Sequence, residues 1–453
     1  MPLTRPAIAA GLAAALSSLA GVADAATEPA LLDEVAAAVN PAELKGTIVS
    51  LVGFGTRHTL SDTRSETRGI GAARRWVQRR FGEISSGCGQ CLEVVAPSQT
   101  FTGPRIPQPA EVMDIVAIQR GTSDANRVVL ITGHLDSRVS DIMNATSDAP
   151  GANDDASGVA AVLEAARVLS KHRFRATIVY AALSGEEQGL YGGKVLAAYA
   201  RTQGWQVEAD LNNDIIGSSH GQDGVHDNAT VRVFSEGTKA TETPAQANKR
   251  RYNGGELDSP SRNLARFMAA QAEAHLTNLR VEMVYRTDRY GRGGDQVSFL
   301  ELGFPAVRVT EAHEDYTHQH QDLRTEHGVP SGDTIEFVDF DYLAQVTRLN
   351  LVTLAALANA PAPPQGVAIE GAVSPDTTLR WEPVPGAAGY RVWWRSTTEP
   401  QWRYHRNVPA DAQPPNRLTL MNVVIDDWFF GVSAESADGY ESPVVFPGDP
   451  GAF

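Results

Sequence analysis

The alternation of predicted strands and helices between residues 127 and 357 most constrains the fold of this chain. Short apolar runs predict strands at 127–133, 176–183, 209–216 and 306–310. Longer periodic runs predict helices at 157–169, 186–200, 261–275 and 339–357. Because strands that alternate with helices pair in parallel, the pattern predicts an α/β fold with a mostly parallel central sheet and helices on both faces. In such sheets, ligand-binding residues collect at the carboxyl ends of the strands.

The first 26 residues have the features of a secretory signal peptide. Arg5 provides a positive start, residues 7–20 are small and apolar, and Ala23 and Ala25 fit an A-x-A cleavage site. The apolar run is too short and too rich in alanine for a membrane span, which needs about 20 strongly apolar residues. We therefore expect a secreted or periplasmic protein without a membrane span.

The net charge restricts the possible partners, and the cysteines agree with export. A net charge of −15 argues against nucleic acid or an anionic membrane as the main partner. Cys88 and Cys91 form a C-x-x-C pair in a glycine-rich stretch, and in an oxidising compartment this pattern favours a local structural disulfide, with free thiols as the alternative. A zinc knuckle would need a second cysteine pair, which the sequence lacks.

A proline-rich linker at residues 360–365 divides the mature chain into a first domain at 27–359 and a second at 366–453. The second domain has short alternating strands at roughly ten-residue spacing, which predicts a β-sandwich. Trp381, Tyr390 and the run at 429–434 give it a resemblance to a fibronectin type III module. This domain would dock on the first domain or on a surface polymer. Its other aromatic residues are more typical of a core than of a binding face: Trp393, Trp394, Trp402 and Tyr404.

Side chains able to carry chemistry follow the predicted strands in five clusters. Taken alone, each has an ordinary structural explanation, such as acidic helix caps or a solvated helix start. Asp214 is harder to explain, because an unpaired carboxylate buried at a strand end costs several kcal/mol and calls for a counter-charge. The clusters contain His134 and Asp136; Asp154 and Asp155; Glu186 and Glu187; Asp214; and His318, His320 and Asp322.

Together the clusters supply a mixed set of nitrogen and oxygen ligands at successive strand ends. Such a set suits zinc, and two ions that share one carboxylate suit hydrolysis. Of two adjacent glutamates, one can bind a metal while the other acts as a general base. The sequence therefore predicts a hydrolytic metal centre.

In their order, the clusters resemble the co-catalytic two-zinc aminopeptidases, the bacterial leucyl aminopeptidase group related to glutamate carboxypeptidase II. The resemblance covers about residues 45–357 and identifies 27–359 as a peptidase domain. It implies two Zn²⁺ per chain, peptide substrates, and removal of residues from the free amino terminus.

The resemblance also implies roles for individual residues. It makes Asp154 the ligand shared by both ions, Glu186 the general base and Asp136 the residue that orients His134. A cis peptide bond is expected between Asp154 and Asp155. The remaining ligands would be His134 and Asp214 for one ion, and Glu187 and His318 for the other.

Two positions depart from the motifs of the resembled family. There, a histidine precedes an aspartate by four residues, and counting back from Asp322 selects His318 over His320 as the last ligand. A Ser-Asp-His sequence of the relatives is replaced here by Gly294-Asp295-Gln296, a change that would affect specificity rather than chemistry.

Three other functions compete with an aminopeptidase. A carboxypeptidase or dipeptidase of the same fold would use arginines for a substrate carboxylate. Arg286, Arg289 and Arg292 lie close together in the sequence, but we interpret them as an exposed basic loop. Glutaminyl cyclase chemistry is more distant. A metal-free binding protein belongs to another class, and the complete ligand set argues against it.

Overall fold

The computed structural model describes residues 30–450, so the expected signal peptide lies outside the described residues. The α-helices are α1 Ala30–Ala37, α2 Pro41–Val52, α3 Gly69–Gly87, α4 Ala156–Leu169, α5 Tyr191–Thr202, α6 Pro244–Asn253, α7 Pro260–His275, α8 Gln296–Glu301 and α9 Phe340–Asn359. Short 3₁₀ helices span Gly255–Leu257, Ile335–Phe337 and Ile425–Asp427. Within the described part, no single helix has the length and apolar composition of a membrane span; α1 and α2 meet that test only as a pair bent by 50°.

The strands of the first domain are β1 Glu93–Val95, β2 Ser98–Gly103, β3 Ile106–Met113, β4 Ile115–Gln119, β5 Asp124–His134, β6 Ala176–Leu183, β7 Gln206–Asn213, β8 Thr230–Ser235, β9 Arg280–Val284, β10 Ala306–Glu311, β11 Arg324–Glu326 and β12 Val329–Ser331. The central sheet has eight strands in the order β1-β4-β6-β5-β7-β10-β8-β9. Its middle strands β6, β5, β7 and β10 are parallel to one another. The α/β fold with a mostly parallel central sheet is confirmed.

The sheet is buried on both faces, as the apolar strands predict. Alternate residues of β5 contact different cores. Val129 and Ile131 belong to a core that also contains residues of α2, α4 and α9, whereas Val128 and Leu130 belong to a core that contains residues of α5 and α8. Since successive side chains of a strand point to opposite faces, this division fixes the register of β5 and leaves its carboxyl end, at His134, free to contribute to a site.

One predicted helix starts later than expected. The pattern predicts a helix from residue 186, but α5 begins at Tyr191. Gly185, Gly189 and Leu190 all have positive φ angles, which a helix does not accommodate. The residues between β6 and α5 therefore form a loop, and this loop carries Glu186 and Glu187 at the edge of the sheet.

Two local covalent features match expectation. Cys88 and Cys91 form a disulfide just after α3. The peptide bond between Asp154 and Asp155 is cis, as the resemblance implies.

The second domain is a two-layer sandwich. Its strands are β13 Ala368–Glu370, β14 Thr377–Arg380, β15 Gly389–Ser396, β16 Tyr404–Pro409, β17 Arg417–Leu420, β18 Trp428–Glu435 and β19 Asp449–Pro450. The sheet β17-β14-β13-β19 faces the sheet β16-β15-β18. Trp381, Tyr390 and Trp394 lie in the core between them. Trp393 and Trp402 are half-buried outside this core and Tyr404 is exposed, so the expectation of a core position is wrong for these three residues. The specific resemblance to a fibronectin type III module stays a prediction.

The sandwich is docked on the first domain through a buried ion pair. Asp258, before α7, contacts Arg266 of the first domain and Arg395 of the second, each at 2.8 Å. Trp402 donates its indole N–H to Asn263 at 3.3 Å, which places it at this interface. The two domains therefore share polar contacts that are shielded from water.

Candidate metal centre

The candidate side chains meet at the carboxyl edge of the parallel strands. His134 is the last residue of β5, Asp214 directly follows β7, and Glu187 lies in the loop after β6. His320 lies in the loop after β10, and Asp154 precedes α4. Residues far apart in the sequence are thus brought to one place because parallel strands end at the same edge.

Asp154 lies between two groups of candidate ligands. Its Oδ1 is 3.0 Å from Nε2 of His134, which is 3.8 Å from Oδ1 of Asp214. Its Oδ2 is 2.8 Å from Nε2 of His320, which is 3.1 Å from Oε1 of Glu187. One group contains His134 and Asp214, and the other contains Glu187 and His320. With Asp154, the donor atoms of each group lie within 4.8 Å of one another. The carboxylate of Asp154 belongs to both.

The histidine in the second group is His320, so the expectation of His318 does not agree with the structure. Nε2 of His318 contacts Asp315 at 3.3 Å, and its ring stacks on Phe337 at a centroid distance of 3.5 Å. His320 has a positive φ of 57°, and its Nε2 contacts Asp154. The conformation of the loop thus places only one of two histidines, which are two residues apart, against Asp154.

The aspartate used to count back to His318 is also remote from the centre. Asp322 is exposed and accepts a hydrogen bond from Ser140 at 2.7 Å. The carboxylate that supports the site is Asp333, which accepts the backbone N–H groups of Asn153 at 2.8 Å and Asp154 at 2.7 Å. The hairpin β11–β12 separates His320 from Asp333. Asp333 could not be predicted from the sequence, because no fixed spacing identifies a carboxylate that follows an inserted hairpin.

Asp155 connects three parts of the site by accepting hydrogen bonds from their backbone N–H groups. Its Oδ2 accepts the backbone N–H of His134 at 2.8 Å, and its Oδ1 accepts those of Gly158 at 2.9 Å and Ile215 at 3.3 Å. It therefore caps α4 and links the ends of β5 and β7. Burial, followed by the nearby charges of Asp214 and Asp154, raises the pKa of the Asp155 carboxyl well above its usual range.

Asp136 orients His134, but through its main chain. Nδ1 of His134 lies 3.0 Å from the carbonyl oxygen of Asp136 and 3.6 Å from the carboxylate. The carboxylate instead accepts the backbone N–H groups of Glu186 and Glu187 at 3.2 and 3.1 Å, and the Thr59 hydroxyl at 3.0 Å. Asp136 thus holds the glutamate loop against the end of β5.

The residues of the first group fit a cation. A carbonyl oxygen only accepts, so Nδ1 of His134 carries a proton, and its Nε2 faces carboxylate oxygens of Asp154 and Asp214. A ring nitrogen and carboxylate oxygens can converge in this way only around a proton or a metal ion. Mixed imidazole and carboxylate donors are those that zinc takes in hydrolytic sites. The second group has the same composition, and Oε1 of its Glu187 is buried without a well-directed hydrogen bond.

The environment of the centre shifts the pKa values of Asp154 and Glu186 in opposite directions. Burial raises the pKa of Asp154, but the positive charge of His320 and hydrogen bonds from both histidines outweigh it and hold that pKa well below its usual range. The half-buried Glu186 shows the reverse. Burial and the negative charges of Glu187 and Asp214 outweigh the charge of His134 and raise the pKa of Glu186 well above its usual range.

Arginines contact the outer oxygens of two candidate ligands. Arg308, fully buried on β10, forms an ion pair with Oδ2 of Asp214. Arg138 lies with its Nε 3.1 Å from Oε2 of Glu187. In each case, the oxygen that faces the histidine stays available, because the arginine takes the other one.

The sequence suggested that the basic residues at 286–292 form an exposed loop. The structure shows that not all of them are exposed. Arg289 is nearly buried and pairs with Asp288 at 3.1 Å, and its guanidinium lies 3.8 Å from Asp214. Arg292 contacts Glu314 at 3.3 Å. Arg286 lies over the ring of Tyr290. The expectation of an exposed loop is therefore wrong for Arg289.

Known proteins are similar to this chain over nearly its whole length. Residues 114–327 match the model of peptidase family M28. A probable zinc metalloprotease of Pyrenophora teres f. teres is 44% identical over 426 residues, which cover 92% of this chain and 86% of the relative. One from Pyricularia oryzae is 45% identical over 419 residues, covering 90% and 82%.

Solved structures share the fold. LapB from Legionella pneumophila superposes with a TM-score of 0.53 at 19% identity and covers 73% of this chain and 75% of its own. An aminopeptidase from Aneurinibacillus sp. strain AM-1 gives 0.51 at 14% identity, with 73% and 97% covered. These likenesses support the α/β fold, and the relatives of more than 40% identity establish the family. The chain belongs to peptidase family M28 and is a zinc-dependent peptidase, as its motifs predicted.

Proposed function

We propose that this chain is an exported aminopeptidase that uses two zinc ions to remove residues from the free amino terminus of peptides. The observation that supports the proposal best is the position of Asp154. One carboxylate oxygen belongs to the His134 and Asp214 group and the other to the Glu187 and His320 group. A carboxylate shared in this way is the ligand that a pair of ions requires.

When bound, two zinc ions would activate water and neutralise the oxyanion of a tetrahedral intermediate. Glu186 is the residue of this chain that moves the proton. Its carboxylate accepts a proton from the attacking water and delivers it to the nitrogen of the leaving amine. Asp136 holds the backbone of Glu186 and so fixes where that carboxylate lies.

Acidic side chains beside Asp154 support recognition of a free amino terminus. A small cavity next to Asp154 has a lining that includes Glu311, Glu314, Asp315 and Asp333. Glu314 is already ion-paired with arginines, and burial raises the pKa of Glu311 well above its usual range. The negative charge open to an α-ammonium group therefore comes mainly from Asp154 and Asp315. That charge would attract an amino terminus and repel a substrate carboxylate at that side of the centre.

Export follows from the amino-terminal sequence, and peptides outside the cytoplasm would be the substrates. The second domain would hold the enzyme near a surface polymer or serve only to support the first domain. Removal of residues 1–26 on secretion, read from the amino terminus of the mature protein by mass spectrometry, tests this part of the proposal.

The decisive experiment compares substrates blocked at either end. Zinc-loaded protein should hydrolyse leucyl-p-nitroanilide and leucyl-peptide amides, and should not hydrolyse their N-acetyl derivatives. A chelator should abolish the activity, and readdition of zinc to about two ions per chain should restore it. Glu186→Gln is the matched control for contaminating peptidases.

The opposite selectivity would favour the second candidate, a carboxypeptidase. In that case, N-acetylated peptides with a free carboxyl terminus would be cleaved, and carboxyl amides would be resistant. Cleavage of dipeptides alone would identify a dipeptidase.

A further inference from the structure

The hairpin of β2 and β3 packs against the loop that carries the two glutamates. The ring of Phe101 packs on that of Tyr191 with centroids 4.4 Å apart, directly after this loop. At the end of the hairpin, Nη1 of Arg105 donates to the backbone carbonyl of Glu187 at 3.0 Å. The hairpin therefore brings a guanidinium to the edge of the proposed centre.

A second guanidinium reaches Glu187 from another loop. Arg138 follows β5, and its Nε lies 3.1 Å from Oε2 of Glu187. Its Nη2 lies 2.7 Å from Nδ1 of His320. Two arginines from separate elements thus flank a single residue, Glu187.

Unlike Arg138, which pairs with Glu187, Arg105 lacks an anionic partner. Its side chain is exposed, and it forms no ion pair with any residue in the part of the chain that the structure describes. On the Asp214 side of the centre, Arg289 contacts Asp288. Arg292 shares Glu314 with Arg232 and Arg289. Both Arg289 and Arg292 therefore have an acidic partner, whereas Arg105, on the Glu187 side, has none among the described residues.

We propose that Arg105 and Arg138 form a recognition site for a carboxylate of the substrate. The inference rests on the proposed function and refines its substrate class. The acidic cavity beside Asp154 would take the amino terminus, and the two arginines would take a carboxylate further along the peptide. Arginine suits this role because its planar N–H groups match the two carboxylate oxygens.

The carboxylate has two sources. It is the carboxyl terminus of a di- or tripeptide, or the side chain of an acidic residue in a longer peptide. Leu-Gly and Leu-Gly-Gly compared with their amides test the first source. Leu-Asp amide compared with Leu-Asn amide tests the second.

The measurement is kcat/KM on zinc-loaded protein for each acid and its uncharged partner. Wild type should prefer the acid in at least one pair by about tenfold or more, since hydrogen bonds to charged groups are strong. Arg105→Gln and Arg138→Gln should each reduce that ratio toward one. Arg292→Gln, a matched loss of charge on the other side of the centre, should keep it.

Binding without turnover gives an independent measurement. In zinc-loaded Glu186→Gln protein, calorimetry should show the same preference for the acid ligands, and the added Arg138→Gln change should remove it. Equal affinity and equal kcat/KM for acids and uncharged partners would overturn the carboxylate site. Efficient cleavage of the amides would still leave the aminopeptidase intact, because those substrates have a free amino terminus and no carboxylate. Loss of the preference in Arg292→Gln alone would place the recognition elsewhere and also overturn the proposal.

Discussion

Nε2 of His320 lies 2.8 Å from Oδ2 of Asp154, while the other oxygen of that carboxylate faces His134. This contact makes Asp154 the link between the two candidate ligand groups. It also selects His320 over a histidine two residues earlier, which stacks on Phe337 instead. Each of the following predictions depends on how this centre, or the fold that supports it, is held together.

Replacing His320 by alanine should remove one of the two zinc ions and collapse activity. The side chain is the only imidazole in its ligand group. Zinc counts by native mass spectrometry on refolded or dialysed protein measure the change. His318→Ala is the matched control and should retain both ions. Loss of zinc from His318→Ala, with full occupancy in His320→Ala, would reverse the assignment.

Asp154→Asn should weaken zinc binding more than any other single ligand change. A bridging carboxylate neutralises both ions, so an amide there leaves two dications facing each other with less compensation. Calorimetric titration of both sites, beside Asp214→Asn, gives the comparison. A smaller effect in Asp154→Asn than in Asp214→Asn would contradict a shared ligand.

Glu186→Gln should keep both zinc ions and lose nearly all turnover. The amide preserves the shape of the side chain but cannot accept the proton, and a general base contributes roughly 10²- to 10⁴-fold in rate. Steady-state kinetics and a zinc count on the same sample are needed. Full activity with both ions present would exclude Glu186 as the base.

Asp333→Asn should lower zinc affinity by about 10- to 100-fold while the protein stays folded, the usual effect of losing a group that orients a ligand. Both oxygens of Asp333 accept backbone N–H groups, and an amide replaces one acceptor by a donor. Asp322→Asn is the control, because the carboxylate of Asp322 is exposed and accepts a hydrogen bond from Ser140, away from the centre. Equal affinities for the two variants would show that Asp333 does not position Asp154.

Asp258→Ala should destabilise the protein by about 3 to 5 kcal/mol, because Arg266 and Arg395 would remain charged and buried. Urea unfolding followed by fluorescence and circular dichroism measures this change. Asp438→Ala is the matched control: it removes a pair between the same two domains, Arg175–Asp438, that is largely exposed. Its loss should cost less than about 1 kcal/mol. Similar effects of the two changes would mean that the buried pair does not stabilise the interface.

Much of the fold could be predicted because the signals are local. Apolar runs identified β5, β6, β7 and β10, whose burial on both faces makes them continuously hydrophobic. The sequence pattern did not predict the strands β8 and β9. β9 lies at the edge of the sheet and is partly exposed, so its residues are not continuously apolar.

The order of acidic and histidine clusters in the sequence was sufficient to identify the family. Six of the seven residues proposed from it lie at one edge of the sheet, and their individual roles stay predictions. Each of these residues lies at or near the end of a strand or the start of a helix, where a short stretch of chain determines its location. The choice between His318 and His320 was different. It depends on the conformation of the loop that carries His320. The carboxylate that supports the site, Asp333, lies beyond the β11–β12 hairpin. A count of residues cannot measure a distance across such an insertion. Likewise, Arg105 and Arg138 are 33 positions apart in the sequence and meet at Glu187 only because a hairpin and a strand end pack on the same loop; tertiary packing, which no local pattern encodes, brings them together.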